Sequence, residues 1–248
     1  MDFSGKAALV TGGSRGIGRA VARAFLDAGA RVAVNGRTAA SVEAAIEALG
    51  GGEGLVAAPG DVATVAGCEA TVAAAVQGLG GLDILVNSAG IYSEAAIEAV
   101  DEAYWDDMID INMKGTFFAT QAALPALRAR KGNVVNLSSN AGLQGYGNTS
   151  VYCASKGGIT NMTRAMALEL APEVRVNCVC PGWVDTDMVA EHAAATGTSQ
   201  DALDSSAPMA RIATAEEVAQ SILYLASADA GFITGAALPI DGGGTAGR

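Results

Sequence analysis

Short apolar runs along the chain alternate with stretches in which apolar residues recur at helical spacing. The first run, Ala7-Ala8-Leu9-Val10, ends in a glycine-rich turn, after which Ala20, Val21, Ala24, Phe25 and Ala28 fall on one helical face. Further short runs at residues 31–35, 54–57, 84–87, 133–137 and 175–179 predict strands, separated by helical patterns of ten or more residues. Two long amphipathic segments, 101–129 and 151–170, predict helices packed on the sheet, and a helix over 215–226 precedes a last strand at 236–240. This is the rhythm of an α/β fold, a doubly wound, Rossmann-type parallel sheet in three α/β/α layers. In such open sheets the ligand crevice lies at the carboxyl ends of the strands, near the point where strand order reverses. Gly12, Asn87, Ser139 and Pro181 all fall at strand ends of that kind.

Composition narrows the classes. The 248 residues contain no linker-like or low-complexity segment, so residues 1–248 read as one domain. Apolar residues make up 50% of the chain, yet none of its apolar runs approaches the ~18 residues that would span a bilayer. Residues 1–6 show neither a basic nor an apolar leader region, and a cytoplasmic protein without membrane attachment is expected. A net charge of −11 argues against a nucleic-acid-binding face. Cys68, Cys153, Cys178 and Cys180 form no C-x-x-C pair and read as reduced, structural thiols; with His192 as the single histidine, they make no zinc set. His192 alone also leaves no Ser-His-Asp hydrolase, so a polarised carbonyl here needs a side-chain acid.

Two motifs carry chemistry. Thr11-Gly12-Gly13-Ser14-Arg15-Gly16-Ile17-Gly18 sits between the first strand and the first helix. Glycines there let the backbone bend and let a pyrophosphate approach, while the helix N-terminus offers free N–H groups to the anion. The spacing differs from G-x-G-x-x-G, and a plain flexible turn is the competing reading. Farther along, Tyr152-Cys153-Ala154-Ser155-Lys156 places a phenol and an ammonium one helical turn apart. A neighbouring cation favours the phenolate, and this predicts a Tyr152 pKa drawn down towards neutrality and a residue able to exchange a proton with a carbonyl or alcohol oxygen. Taken alone, Tyr-x-x-x-Lys also describes two ordinary surface residues.

Taken together, Thr11-Gly12 with Gly16 and Gly18, Asn87-Ser88-Ala89-Gly90, Asn112, Ser139, Tyr152, Lys156 and Pro181-Gly182 resemble the short-chain dehydrogenase/reductase family over essentially the whole chain. Ser88 is a departure, since the family more often has a second asparagine there. The resemblance implies catalysis by Asn112, Ser139, Tyr152 and Lys156. Tyr152 would protonate the substrate oxygen, Ser139 would hold that oxygen, and Lys156 would also hold the nicotinamide ribose. Ser138 competes for the serine role, although strand alternation sends neighbours to opposite faces. Asn112 would anchor a water linking Lys156 to solvent, or else satisfy a backbone bend. Cofactor contacts implied are Gly12, Ser14, Arg15, Gly16, Ile17, Gly18, Asn87, Ala89, Gly90, Pro181, Gly182, Val184 and Thr186. Asn87 would bind backbone across neighbouring strands. Asp61 would meet the adenine amino group with help from Val62, or cap the next helix.

The cofactor phosphate state is read at the end of the second strand, where an acidic residue would bind a ribose 2′-OH and repel a 2′-phosphate. The chain has Asn35-Gly36-Arg37 there, and Arg37 with Arg15 can clamp a phosphate. NADP is therefore expected over NAD, the other reading being two solvated surface arginines. Arg211-Ile212-Ala213-Thr214-Ala215-Glu216-Glu217-Val218 and Asp241-Gly242-Gly243-Gly244 look most like the 3-oxoacyl-carrier-protein reductases. Substrates thus stand open between a small ketone or secondary alcohol and an acyl-carrier-protein thioester, for which Arg128, Arg130 and Lys131 offer a basic patch spoiled by Glu169 and Glu173. An NAD-dependent alcohol, sugar or steroid dehydrogenase and a non-enzymatic NADPH sensor are the alternatives. An enoyl reductase fits less well, because that subgroup sets its tyrosine and lysine farther apart. Residues 188–209 would form a mobile substrate lid, and the faces at 116–127 and 159–170 would build a homotetramer unless burial within the subunit accounts for them.

Overall fold

The computed structural model describes residues 1–247. Seven strands form one parallel sheet in the order β3-β2-β1-β4-β5-β6-β7, namely β1 Ala7–Thr11, β2 Arg31–Val34, β3 Leu55–Ala57, β4 Ile84–Asn87, β5 Asn133–Leu137, β6 Arg175–Pro181 and β7 Ala237–Ile240. The order reverses between β1 and β4, where Thr11 stands opposite Asn87. Central strands are buried on both faces, as their unbroken apolar runs require. Alternation then divides them: Ala8, Val10, Ile84 and Val86 join the core under helices α1 (Gly16–Asp27) and α9 (Ala215–Ala226). Ala7, Leu9 and Leu85 join the opposite core, beneath α3 (Val65–Leu79), α5 (Gly115–Arg130) and α6 (Ser150–Leu170). Helix α2 (Ala39–Ala48) begins at Thr38, whose hydroxyl accepts from the Ser41 N–H in a capping box.

The expected helix over 101–129 is three consecutive pieces. Asp101 caps α4 (Glu102–Ile109), a wider π-helical turn follows at Asp110–Lys114, and α5 continues from it. The wide turn carries Asn112, fully buried. Such turns recur at functional sites because they re-aim one residue without ending the helix. Residues 188–209 are also more regular than a loop, containing α7 (Asp187–Thr196) and the short α8 (Gln200–Asp204). In the two faces expected at a subunit contact, Ala119, Ala123, Leu127, Ile159, Met166 and Leu170 are buried inside this subunit, while Leu168 and Phe117 face outward at 84% and 39% exposure. Among the described residues no helix is long and apolar enough to cross a membrane.

Candidate active site

One cavity of about 1150 Å³ runs along the carboxyl ends of the strands and is lined at one end by the glycine turn. The turn fits its expected ligand by what it leaves out. A Cβ on Gly18 would lie 2.2 Å from the Gly12 carbonyl oxygen, and one on Gly12, at φ +62°, would lie 2.7 Å from the Ala89 Cα. No side chain caps the N-terminus of α1, so its first N–H groups face the cavity free of an internal acceptor. Ser14, Arg15, Gly16, Ile17, Asp61, Val62, Ala89 and Gly90 line this end, together with Pro181, Gly182, Val184 and Thr186. The cradle is propped by Asn35, which accepts from the Gly12 N–H at 3.2 Å and donates to Ala58 and Gly60 carbonyls at 2.9 and 3.1 Å. Thr11 accepts from the Ser88 and Ala89 N–H groups at 3.1 and 3.2 Å, tying the turn to β4 across the switch point. Neither duty of Asn35 and Thr11 was singled out from the sequence; a polar residue at the end of an otherwise apolar strand was the available signal.

Asn87 corrects an expectation. It does not line the cavity; its amide turns into the interior and donates to Thr120 Oγ1 and Asn136 Oδ1, both at 2.9 Å. Its partner on the neighbouring strand is the Asn136 side chain, while Thr120 and the Thr116 carbonyl at 3.5 Å belong to α5, because alternation at the strand end sends Asn87 towards that helix. Asp61 lines the cavity and accepts from the Ala63 N–H at 3.0 Å, while Thr64 caps α3 in its place. Arg15 and Arg37 both reach the cavity rim. Arg15 is held 3.5 Å from Glu191 of α7, and Arg37 is exposed with no ion pair among the described residues.

At the centre, Ser139, Tyr152 and Lys156 come together from the end of β5 and one face of α6. Ser138 also lines the cavity, but its hydroxyl is spent on α6, donating to the Lys156 carbonyl at 2.9 Å and meeting Thr160 Oγ1 at 2.7 Å. Ser139 keeps the cavity side, its hydroxyl accepting from the Ala141 N–H and lying 3.5 Å from the Pro181 carbonyl. Asn112 grips both polar groups of the Ile91 backbone, at 2.8 and 3.0 Å, and donates to Ser155 Oγ at 3.1 Å. Its amide thus holds Ile91 at the cavity wall. Gly90 lies between Asn112 and Lys156; a Cβ there would meet Asn112 Oδ1 at 3.2 Å and Lys156 Nζ at 3.5 Å.

The electrostatics differ from the expected picture. Burial pushes the Tyr152 phenol up to about 12, the contact with the Ser139 hydroxyl working against it. Burial also lowers Lys156 to about 8, opposed by the nearby Cys180 and Cys178. The ammonium does not draw the phenol down, because helical spacing sets it 5.8 Å from the centre of the Tyr152 ring and it donates to the Leu137 carbonyl at 2.9 Å. Desolvation dominates where two groups are buried together and the stabilising contact goes elsewhere.

The far end of the cavity holds residues that the sequence did not mark. Tyr92, Glu94 and Trp183 line it, and His192 of α7 packs behind them, its ring stacked on Trp183. Scattered single aromatics give no periodic signal, so only the fold assembles them.

A glycine cradle at the switch point of a parallel sheet, continuous with a buried Ser-Tyr-Lys group, defines a Rossmann-type oxidoreductase. The family model described as "Enoyl-(Acyl carrier protein) reductase" matches residues 12–245. The chain is 35% identical to a 3-oxoacyl-[acyl-carrier-protein] reductase of Chlamydia muridarum, with 96% of each chain covered. Its fold matches a crystal structure of a short-chain dehydrogenase/reductase of Brucella melitensis described as a glucose/ribitol dehydrogenase, with a TM-score of 0.91, 35% identity and 98% of both chains covered. It matches equally the structure of ElxO with NADP bound, with a TM-score of 0.91, 32% identity and 98% and 99% of the two chains covered. The protein belongs to the short-chain dehydrogenase/reductase family.

Proposed function

We propose that this single-domain protein is an NADP(H)-dependent carbonyl reductase or alcohol dehydrogenase acting on a small ketone or secondary alcohol. The observation that carries the reading is the placement of Ser139, Tyr152 and Lys156 on one cavity wall continuous with the glycine cradle. The cradle, Asp61, Val62 and the 181–186 segment would hold a dinucleotide, which when bound supplies or accepts the hydride. Tyr152 then gives its hydroxyl proton to the carbonyl oxygen as the alcohol forms, or takes it back in the reverse direction. A phenol raised by burial keeps that proton through the neutral range until the oxygen develops charge. Ser139 holds the substrate oxygen against Tyr152, Lys156 supports the ribose, and Asn112 positions the wall through Ile91.

NADP is favoured over NAD by what stands after β2. The Asn35 carboxamide is buried and spent on backbone, Gly36 has no side chain, and Arg37 is exposed at the rim beside Arg15. The guanidinium of Arg37, unpaired among the described residues, suits a 2′-phosphate, with Arg15 on the same rim, and no carboxylate directly after β2 repels one. The NADP in the ElxO structure is consistent with this assignment.

A carrier-protein substrate is disfavoured. Arg128 pairs with Glu173 at 2.9 Å, and Arg130 with Asp83 at 3.4 Å, at the amino ends of β4 and β5. An acidic partner docked there sits at the end of the sheet opposite the cavity. The enoyl reduction in the description of the matching model is set aside because Tyr152 and Lys156 stand one helical turn apart. A cytoplasmic homotetramer completes the proposal, with outward-facing Phe117 and Leu168 as contact residues. The test is a panel of ketones and alcohols with NADPH and NADH. Turnover with preference for NADPH is expected; NADPH binding without turnover of any compound overturns the enzyme in favour of a sensor.

A further inference from the structure

The substrate end of the cavity is walled by rings. Tyr92 stands edge-on to Tyr152, ring centres 4.8 Å apart, and edge-on to Trp183 and His192 at 5.6 and 5.2 Å. Trp183 and His192 lie stacked at 5.1 Å, with 17° between their planes. Edge and face contacts at such separations are how proteins hold a flat apolar ring, and Tyr92 and Trp183 both line the cavity.

The charged side chain on the lining at this end is Glu94. Glu94 lines the cavity, accepts the Tyr92 hydroxyl proton in a hydrogen bond and lies 3.8 Å from Nε2 of His192. The cations that line the cavity are engaged or elsewhere. Arg15 and Arg37 stand at the glycine-turn end, Lys156 donates to Leu137, and Arg211 gives both terminal nitrogens to Glu217 at 2.8 and 2.6 Å. A carboxylate, sulfonate or phosphate arm on the substrate would therefore meet Glu94 with no free lining cation among the described residues at this end to receive it. Like charges brought together in a partly dry site are strongly unfavourable, and this is how a pocket rejects a partner it would otherwise fit.

We infer that the cavity selects uncharged, ring-bearing ketones and secondary alcohols, with Tyr92 and Trp183 as the platform for the ring and Glu94 as the group that turns anionic substrates away. The inference rests on the oxidoreductase reading above and narrows its substrate class.

The test compares an aryl methyl ketone with its para-carboxylate analogue and with butanone, by initial rates with NADPH. The wild-type protein should favour the neutral aryl ketone over the carboxylate by at least about tenfold in kcat/KM, the size of a modest like-charge penalty. Glu94→Gln should narrow that ratio to about threefold or less, by lowering KM for the carboxylate. Trp183→Ala should raise KM for the aryl ketone by about tenfold and for butanone by much less. Wild-type turnover of the carboxylate equal to that of the neutral ketone, a ratio unmoved by Glu94→Gln, or turnover of butanone but not of the aryl ketone, each overturns the inference and leaves the oxidoreductase intact. No turnover of any of the three with NADPH bound removes the oxidoreductase reading and the inference with it.

Discussion

The side-chain nitrogen of Lys156 and the carbonyl oxygen of Leu137 are 2.9 Å apart, so the buried ammonium is anchored to the end of β5 and not to the phenol one turn before it on α6. One hydrogen bond only partly replaces the water the ammonium has lost, which is why burial lowers Lys156 to about 8.

That shift has a consequence for stability. A lysine whose folded pKa lies below its ordinary value binds fewer protons folded than unfolded, so it destabilises the fold below pH 8 and the penalty fades as pH rises through about 8 to 10.5. The shift corresponds to about 3 kcal/mol in the cofactor-free protein. Lys156→Met should therefore melt at least as high as the wild type at pH 7, with its advantage shrinking towards pH 10.5. Thermal melts of both proteins across that range check it, and a difference that stays constant with pH would contradict the account.

Tyr152→Phe keeps the ring against Tyr92 and removes only the hydroxyl. Cofactor binding, followed by fluorescence, should stay within about twofold, while turnover falls by ~10² to 10⁴, the range of a positioned acid-base group. Undiminished turnover would move the acid to another residue.

Arg37→Ala removes an exposed guanidinium from the end of β2. A charge-assisted bond to a phosphate contributes ~1.5–3 kcal/mol, so KM for NADPH should rise about tenfold or more with KM for NADH little changed. Equal effects on the two cofactors would point to NAD as the natural one.

Gly18→Ala places a methyl group 2.2 Å from the Gly12 carbonyl oxygen, and backbone on both sides leaves no flexible side chain to yield. Unfolding measured in urea should show a loss of about 2–3 kcal/mol, and affinity for the dinucleotide should fall with it. Ala at Gly145, where a Cβ meets nothing within 4 Å, serves as the control and should be silent.

Much of this protein is legible in its residues alone. Apolar runs of four or five residues between helical periods mark buried parallel strands, since only strands covered on both faces read that way, and β1, β2, β4 and β5 lie within a residue of where that pattern puts them. The glycine turn and the Tyr-x-x-x-Lys turn are local in the chain, so their spacing alone carries their geometry. Three-dimensional packing decided the rest. The direction of the Asn87 amide depends on α5 lying across β4, and the hold of Asn112 on Ile91 depends on the wide turn meeting the loop after β4. The pKa of Tyr152 is a matter of desolvation, a property of everything packed around it and not of Lys156 four residues on. The wall of Tyr92, Trp183 and His192 is drawn from three separate segments, so no window of sequence contains it; only the folded sheet and α7 bring Trp183 and His192 against Tyr92, and Tyr92 against Tyr152.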